Sequence, residues 1–258
     1  MSVEAPFVAA GDHFAIDLPG GRALFSSRHG GVSEGPYRSL NLGASGVAHE
    51  VARPPAAGSP GADDPRRVRQ NRDRLAAAAG LAPASLAHSR QVHGASVATR
   101  RRSDGLGAAG EADGQLTSDP GVGVLVLVAD CLPIALVGEG GVAALHAGWR
   151  GLRAGVVANG VLALRERSGG PLRAAIGPGA GPCCYEVGEE VHEQFADVAG
   201  ASRGRHLDLR AIARDRLERA GVAEIHDLGL CTICDERFFS HRRDQGRTGR
   251  QGGVVWRA

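Results

Sequence analysis

Three residues of this sequence have side chains whose chemistry could work together: His93, Cys131 and His146. Cys131 follows Asp130 at the end of the apolar run VGVLVLVAD, and His146 ends a second apolar run in ALHAGWRG. Buried strands of α/β folds present reactive groups at their ends, next to a crevice. Two imidazoles and one thiolate with an open fourth position would form a catalytic zinc site.

The spacing of these residues also allows a purely structural interpretation. They lie too far apart in sequence for a local metal motif, since HxH, HxxxH and HExxH are all absent. A lone cysteine is most often a buried core residue, and a lone histidine such as His93 is most often satisfied in the core or on the surface. The neighbouring Asp130 disfavours a thiolate, so a reactive Cys131 requires a nearby arginine, protonated histidine or metal ion.

Anion binding is expected beside His146, because a helix is predicted to begin near Gly151 and helix N-termini favour negative charge. Arg150 and Arg153 would strengthen a phosphate site there, or they are solvated residues of the first helical turn.

A second basic region is DERFFSHRRDQGRTGR near the end of the chain. Phe238 and Phe239 beside Arg242 and Arg243 would suit a corner that stacks a base and holds an anion. A packed strand followed by an exposed basic loop is the alternative.

The other four cysteines are Cys183, Cys184, Cys231 and Cys234, and the last two form the CxxC motif CTIC. A zinc ribbon needs two spaced pairs, and a thioredoxin-like motif needs a βαβ context. Neither context is evident in the sequence. We therefore expect these four thiols to be structural or incidental rather than functional. Five cysteines in all do not suit a disulfide framework, so reduced thiols are expected, with metal binding open for some.

Composition excludes several functional classes. With 258 residues, 43% hydrophobic, the chain can bury a full core. All 30 basic residues are arginine, as a GC-rich bacterial genome would produce, which excludes a P-loop lysine and Schiff-base chemistry. The net charge of only +2 disfavours nucleic-acid binding. Neither a signal peptide nor a membrane span is evident, so a cytoplasmic protein without a membrane partner is predicted.

Strands and helices are predicted to intermix without a regular βαβ rhythm, and no GxGxxG follows a strand. The sequence therefore favours an α/β fold, a single layered domain over 1–258 with mixed β-sheets flanked by helices, rather than a Rossmann fold. Residues 44–64 are predicted to be a surface loop. The principal predicted elements are two strands within 14–28, a helix from Pro65 capped by Asp63 or Asp64, three strands within 122–148, a helix over 151–168, a strand over 172–177, two later helices and a strand in EIHDLGL.

Several segments together resemble the YfiH family, also known as the laccase-domain or peptidoglycan editing factor family. They are SSRHGGVSEGPYRSLNLG, RQVHG, VADCLPIAL, ALHAGWRG, IGPGAGPCCYEVGEEV, LDL and CTICDERFFSHRRDQGRTGR, and the match runs from about residue 14 to 256. This resemblance implies a metal held by His93, Cys131 and His146, with zinc expected and copper as the alternative. It also places Arg28 and Asn41 near that pocket.

One departure from the family pattern is visible. The stretch that usually reads IGPCIGPC has Gly179 where a cysteine often stands, so any second thiol role of that cysteine is in doubt in this chain.

The resemblance implies purine nucleoside phosphorylase activity on adenosine, inosine and methylthioadenosine, with adenosine deaminase as a side activity. The expected partners are a small-molecule nucleoside and phosphate, with Arg28, Asn41 and Arg150 orienting ribose or phosphate and the Phe238/Arg242 corner as a weaker candidate. Deamination would require an unusual zinc design, because the HxE and PCxxC signature of nucleobase deaminases is absent.

Three alternatives stay open. A conventional multicopper laccase is disfavoured because no HxH occurs and Met1 is the only methionine, but a copper-dependent polyphenol oxidase with one copper ion at the same ligands remains an alternative. A peptidoglycan editing hydrolase would use Cys131 as nucleophile and His146 as base on a muramyl precursor. A binding module without catalysis is the third.

Overall fold

The computed structural model describes residues 4–43 and 62–257. Most of the loop expected over 44–64 falls on 44–61, which lies outside the described residues. The strands are β1 Val8–Ala10, β2 His13–Leu18, β3 Gly21–Phe25, β4 Leu86–Arg90, β5 Val97–Thr99, β6 Ala108–Glu111, β7 Gly114–Thr117, β8 Gly123–Val128, β9 Leu132–Gly138, β10 Gly141–Ala147, β11 Arg173–Ile176, β12 Ser202–Arg203, β13 His206–Leu207, β14 Glu224–Asp227 and β15 Gln251–Trp256. The helices are α1 Pro65–Ala78, α2 Trp149–Ala154, α3 Val156–Arg165, α4 Glu189–His192 and α5 Leu209–Arg219.

Two mixed sheets pack face to face at the centre of the described structure. One has seven strands in the order β1-β2-β3-β15-β8-β4-β6, and the other has six in the order β14-β11-β9-β10-β7-β5. Side chains such as Phe14, Phe25 and Val126 from the first sheet meet Val137 and Val142 from the second in one buried cluster. Burial on both faces explains why β8, β9 and β10 read as continuous apolar runs.

Helices cover the outer face of each sheet. Helix α1 places Leu75 and Ala76 against Leu125 and Val254 of the seven-stranded sheet. Helices α2, α3 and α5 cover the six-stranded sheet with residues that include Val157 and Ile212. The result is a layered α/β fold with mixed sheets, which confirms the predicted fold class. No helix in 4–43 or 62–257 combines the length and apolar character needed to cross a membrane.

Two predicted helices differ from the observed ones. The helix predicted over 151–168 begins earlier, at Trp149, and is broken at Gly155, whose φ of 91° ends α2 and starts α3. Glycine adopts this left-handed conformation without a steric penalty. The helix predicted in GEEVHEQFADVA is only α4, followed by a 3-10 turn over Glu193–Phe195.

The sequence patterns do not predict several of the strands, namely those at 8–10, 86–90, 108–111, 114–117 and 251–256. The most central is β15, which pairs with both β3 and β8. Its Gly252 and Gly253 pass so close to Leu125 and Pro133 that added Cβ atoms would lie 2.6 and 2.7 Å from those side chains. Glycine permits this close packing but has a low β-propensity, so the sequence of β15 does not predict a strand.

The two aspartates before α1 have separate roles. Asp64 caps the helix by accepting a hydrogen bond from the Arg66 backbone N–H at 2.8 Å. Asp63 is buried and accepts hydrogen bonds from the Ser33 hydroxyl at 2.6 Å and the Asn41 amide at 2.8 Å. The capping residue is therefore Asp64, and Asp63 fastens the loop between β3 and α1.

Asn71 on α1 should be among the most sensitive polar residues of the fold. Its buried amide donates to the Asn41 carbonyl at 2.8 Å and to the Ser33 hydroxyl at 2.8 Å, and it accepts from Val32 N–H at 2.8 Å. Because Asn71→Ala leaves these groups without partners, we expect it to lower the free energy of unfolding by about 3 kcal/mol. Urea unfolding followed by circular dichroism measures the change, with the exposed Gln70→Ala as the matched control. Equal stabilities of the two variants would contradict this role.

Candidate functional site

His93, Cys131 and His146 converge, with one potential ligand atom of each lying within 4.8 Å of the others. The pairing of the strands brings them together. Cys131 immediately precedes β9 and His146 is the penultimate residue of β10, and the antiparallel register that pairs Ala147 with Leu132 puts both at one end of the hairpin. His93 comes from the loop between β4 and β5, and its ring meets that of His146 edge-on at 4.8 Å between centroids.

Asp113 connects these side chains, and sequence reasoning missed it. Its carboxylate is fully buried and lies 2.7 Å from His146 Nδ1. The same carboxylate accepts backbone N–H groups from Val92 at 3.1 Å, His93 at 2.9 Å and Gly94 at 2.7 Å. It therefore orients the His146 ring, with Nδ1 engaged, and fixes the loop that carries His93, whose φ is 59°. The only sequence signal is an aspartate immediately before a short strand, ADGQLT.

Cys131 and His146 form a charged pair when no metal is bound. Burial alone would raise the pKa of Cys131, but the charge of His146 and hydrogen bonds from His146 and His93 outweigh it and lower the pKa to about 6. Burial alone would lower the pKa of His146, but the Cys131 charge and the Asp113 hydrogen bond raise it to about 9. His146 thus supplies the cation that a thiolate at this position requires.

The neighbouring Asp130 is occupied elsewhere. Its carboxylate accepts hydrogen bonds from the Thr232 hydroxyl and from the Arg242 backbone N–H, each at 2.7 Å. Space around the thiol depends on Gly148, because a Cβ atom there would lie 2.6 Å from Cys131 Sγ. Gly148 therefore leaves the Cys131 sulfur accessible to the ring of His93 and to a ligand.

Tyr185 provides an aromatic surface near the site that the sequence did not reveal. Burial raises its pKa far above the ordinary tyrosine value, and the charges of Cys131 and Asp130 add to the rise, whereas Arg242 and Arg150 oppose it. These interactions place both arginines in the electrostatic neighbourhood of Tyr185 and Cys131. Arg242 lies over the Tyr185 ring at 5.1 Å, and Arg150 is exposed and lies over Trp149 at 4.3 Å.

The predicted stacking role of the phenylalanine pair is wrong. Phe238 and Phe239 are both fully buried, and the Phe238 ring packs on Phe14 with centroids 5.9 Å apart. Neither ring presents a face to a ligand, and residues 235–250 contain turns rather than the alternative packed strand. Both phenylalanines are buried although arginines flank them, because the loop folds back onto the core. The composition of this segment does not reveal that fold.

Arg28 and Asn41 have different environments. Arg28 lies over the Phe239 ring at 4.6 Å and lines a cavity of about 1070 Å³ together with Ser33 and Arg243. Asn41 is 1% exposed, and its amide already bonds to Gly43, Asp63 and the Arg250 backbone N–H. Arg28 can therefore meet a ligand in that cavity, whereas Asn41 fixes the surrounding loops.

Arg250 is a further residue that sequence reasoning missed. It is a partly buried cation whose pKa is lowered by desolvation, while the charges of Cys131, Asp130 and Tyr37 oppose the decrease. It thus contributes positive charge towards Cys131. The remaining cysteines, Cys183, Cys184, Cys231 and Cys234, form a second cluster whose sulfur atoms also lie within 4.8 Å of one another.

The charged pair predicts a distinctive pH dependence for alkylation of Cys131 in metal-free protein. The thiolate is the reacting form, so a pKa lowered to about 6 should keep the rate constant near its maximum from about pH 8 to about pH 7 and halve it near that pKa. In Asp113→Asn the neutral amide stabilises the His146 imidazolium less than the carboxylate does. The midpoint of the alkylation rate should therefore move up by about one pH unit. Iodoacetamide labelling read by peptide mass spectrometry measures this, with Cys183, whose pKa is raised, as the internal control. A wild-type midpoint above about pH 8 would contradict the pair.

Comparison with known proteins places this arrangement in a family. The sequence model of the family described as multi-copper polyphenol oxidoreductase laccase matches residues 22–258. A protein of Xylella fastidiosa (strain Temecula1) named purine nucleoside phosphorylase is 41% identical over 257 residues, covering 92% of this chain and 93% of that protein. The Escherichia coli K12 protein named purine nucleoside phosphorylase YfiH is 39% identical over 245 residues, covering 91% and 93%.

Solved structures agree with this assignment. YlmD from Geobacillus stearothermophilus superposes with a TM-score of 0.81 at 32% identity, covering 99% of this chain and 98% of that one. The Bacillus licheniformis hypothetical protein YfiH gives a TM-score of 0.83 at 26% identity, covering 99% and 100%. The chain therefore belongs to the laccase-domain family that includes the YfiH proteins, as its QVHG, ADC and HAGWRG motifs predict.

Proposed function

We propose that this protein is a zinc-dependent purine nucleoside phosphorylase acting on adenosine, inosine and methylthioadenosine, with adenosine deamination as a side activity. The convergence of His93, Cys131 and His146 carries the proposal, because it is a three-ligand site beside arginines and an aromatic ring. The names of the relatives support the reaction class. The predicted cytoplasmic location fits, since reduced thiols persist there.

The donor atoms of the site suit zinc. Two imidazole nitrogens and one thiolate leave a fourth position for substrate, as in catalytic zinc sites. The carboxylate of Asp113 on His146 Nδ1 leaves Nε2 as the ligand atom, because a metal-bound histidine usually engages a carboxylate or carbonyl through its other ring nitrogen. Copper is the alternative ion for the same donors. A bound zinc ion would polarise a substrate oxygen as a Lewis acid.

The protein's own residues would bind and orient the reactants. In phosphorolysis the C1′–N9 bond breaks, a C1′–O bond to phosphate forms, and the purine leaves with the bonding electrons and takes up a proton. The guanidinium groups of Arg150 and Arg242 would hold the phosphate, since arginine pairs with oxyanions through several hydrogen bonds. Tyr185, whose pKa burial raises further above neutrality, would stay protonated and donate its hydroxyl in a hydrogen bond.

Arg28 and Asn41 would contribute from the cavity that Arg28 lines together with Ser33 and Arg243. Arg28 would contact the ribose or phosphate from the wall that it shares with Arg243. Asn41 would act by positioning Arg250, because its side-chain oxygen accepts the Arg250 backbone N–H at 2.9 Å.

The proposal predicts phosphate-dependent formation of free base and ribose 1-phosphate from adenosine or inosine. His93→Ala should lose the zinc ion of this site and lower kcat/KM by at least about 100-fold, because one of its three proposed protein ligands is removed. Chromatography of the products, with zinc quantified on the same samples, checks this. His226→Ala on the edge strand β14, whose histidine pairs with Glu224, is the matched control and should behave as wild type. Full turnover in His93→Ala that has lost the zinc ion of this site would refute the zinc mechanism.

Arg242→Gln should raise the KM for phosphate by about tenfold with a smaller effect on the KM for inosine, because it removes one charged hydrogen-bond donor to the anion. Initial rates at varied phosphate concentrations measure the change. The fold is expected to persist, because the bond from Arg242 to Asp130 uses the backbone N–H and the only hydrogen bond lost to a described residue is that from its guanidinium to the Glu186 carbonyl at 2.6 Å. The exposed Arg101→Gln controls for loss of one positive charge, and an equal effect in both variants would contradict phosphate binding by Arg242.

One observation favours a second candidate function. Asp113, His146 and Cys131 are also arranged as the orienting acid, base and nucleophile of a thiol hydrolase. In that reaction the thiolate attacks an acyl carbon of a muramyl precursor, the amine leaves with a proton from His146, and water cleaves the thioester. Metal binding and nucleophilic attack compete for one thiolate.

The two functions differ in a covalent intermediate. The editing reaction predicts release of an amino acid or peptide from the muramyl precursor and a thioester on Cys131, detectable as a mass increase after acid quenching. The phosphorylase proposal predicts neither, because its chemistry does not involve covalent attack by sulfur. Nucleoside turnover together with an unmodified Cys131 would exclude the editing function as the main activity.

A further inference from the structure

The second cysteine cluster is assembled from two loops that leave the same end of the six-stranded sheet. Cys183 and Cys184 follow β11, and Cys231 and Cys234 follow β14, its parallel neighbour. A bridge between Gly179 and Cys231 extends this pairing into the loops. All four sulfur atoms lie within 4.8 Å of one another, so the cysteines meet although about fifty residues separate the two pairs.

We propose that these four thiols bind one zinc ion, in a structural site separate from that of His93, Cys131 and His146. Binding would replace four S–H protons by four Zn–S bonds and leave a net charge of −2, with no change of oxidation state. A tetrahedral ion with Zn–S bonds of about 2.3 Å separates its sulfurs by about 3.8 Å, which the observed cluster matches in scale. The pairs Cys183–Cys234 at 3.3 Å and Cys184–Cys234 at 2.8 Å would move apart slightly to admit it.

Backbone N–H groups are directed at one sulfur of the cluster, as they are at metal-bound thiolates. The sulfur of Cys231 accepts the Gly181 backbone N–H at 3.2 Å, and it also receives the N–H groups of Ile233 and Cys234. Peptide donors directed at a sulfur stabilise its charged form, and such outer bonds are typical of metal-bound ligands. A neutral thiol would be a weak acceptor for three donors.

The surroundings suit a negatively charged metal site. At Gly181 an added Cβ atom would lie 3.2 Å from Cys183 Sγ and 3.1 Å from both the Cys231 Cβ atom and Arg210 Nη1. Glycine therefore permits the close approach of the two loops, and Arg210 supplies positive charge beside them. A polynuclear iron–sulfur cluster needs a wider cage, since its cysteines bind several iron atoms.

A disulfide explains the cluster less well. Cys184 and Cys234 are close enough to pair after a small movement, but a disulfide consumes two thiols and needs an oxidant. It would leave Cys183 and Cys231 without a reason to converge on the same point, and the N–H groups at Cys231 would be directed at a neutral thiol.

The zinc ion would have a consequence for the catalytic cysteine. Ala180 donates its N–H to the Asp130 carbonyl at 2.7 Å, and Thr232 donates its hydroxyl to the Asp130 carboxylate at 2.7 Å. These two donors belong to the two loops that the ion would join. Asp130 itself has φ of 87°, a left-handed conformation that needs support from its surroundings, and it is bonded directly to Cys131. The ion would therefore hold Cys131 in position.

Zinc stoichiometry tests the proposal directly. Protein expressed with added zinc and purified under nitrogen should contain about two zinc ions per chain, and both His93→Ala and Cys184→Ser/Cys234→Ser should contain about one. Cobalt in place of zinc should give stronger sulfur-to-metal charge-transfer absorption in His93→Ala, which keeps four thiolates, than in the double cysteine variant, which keeps one. About one zinc ion in wild type, with no loss in the double cysteine variant, would overturn the proposal.

A measurement on the unchanged sequence covers the case in which a variant fails to fold. In native protein, zinc should slow iodoacetamide labelling of all four cysteines of the cluster by at least about tenfold, and a chelator should restore it, as mapped by peptide mass spectrometry. Equal labelling with and without zinc would overturn the proposal. So would a Cys184–Cys234 disulfide in the anaerobically purified protein, seen as the loss of two hydrogens.

Discussion

The buried carboxylate of Asp113 is the interaction on which the rest of the site depends. An unpaired charge at a fully buried position would cost several kcal/mol, so this carboxylate requires its donors, and they in turn are fixed by it. Three of them are consecutive backbone N–H groups of the loop at His93, and the fourth is the ring of His146. One anion therefore determines the conformation of one candidate ligand and the orientation of another. The backbone carbonyl of Asp113 also accepts the His146 N–H at 2.7 Å, which ties the two residues together at the sheet.

Strand register explains why these residues meet. β5 runs parallel to β7, so the loop before β5 lies beside Asp113. β7 pairs antiparallel with β10, which puts Asp113 next to the end of β10 at His146, and the β9–β10 hairpin adds Cys131. Further along the sheet, β11 and β14 direct the cysteine loops to the same end. Six neighbouring connections thus supply ligands, their support and the second thiol cluster to one end of one sheet. The opposing seven-stranded sheet and the outer helices hold that sheet in place through the buried clusters.

Local sequence signals were sufficient for part of this structure. The runs that form β8, β9 and β10 are apolar on both faces, and the Asp64 cap and Pro65 mark the start of α1, so these elements were predictable. His93, Cys131 and His146 have no local metal spacing, and it was the resemblance of their QVHG, ADC and HAGWRG motifs to the YfiH family that implied a common site. Their support was not predictable, because Asp113 is a single aspartate whose role depends on three separate strand pairings. The break at Gly155, the glycine-rich β15 and the burial of Phe238 likewise depend on tertiary packing. The four-cysteine cluster was interpreted as incidental because the parallel pairing of β11 with β14, which creates it, has no local signature.

We propose that Asp113 prepares His146, together with His93 and Cys131, to bind a metal ion. Anomalous diffraction from zinc-loaded crystals, recorded on both sides of the zinc absorption edge, would locate that ion. We expect an anomalous peak bonded to Cys131 Sγ, a nitrogen of His93 and Nε2 of His146, with His146 Nδ1 still hydrogen-bonded to Asp113. The absence of a peak among these three side chains, or a His146 ring rotated so that Nδ1 binds the ion and Asp113 loses its partner, would contradict it.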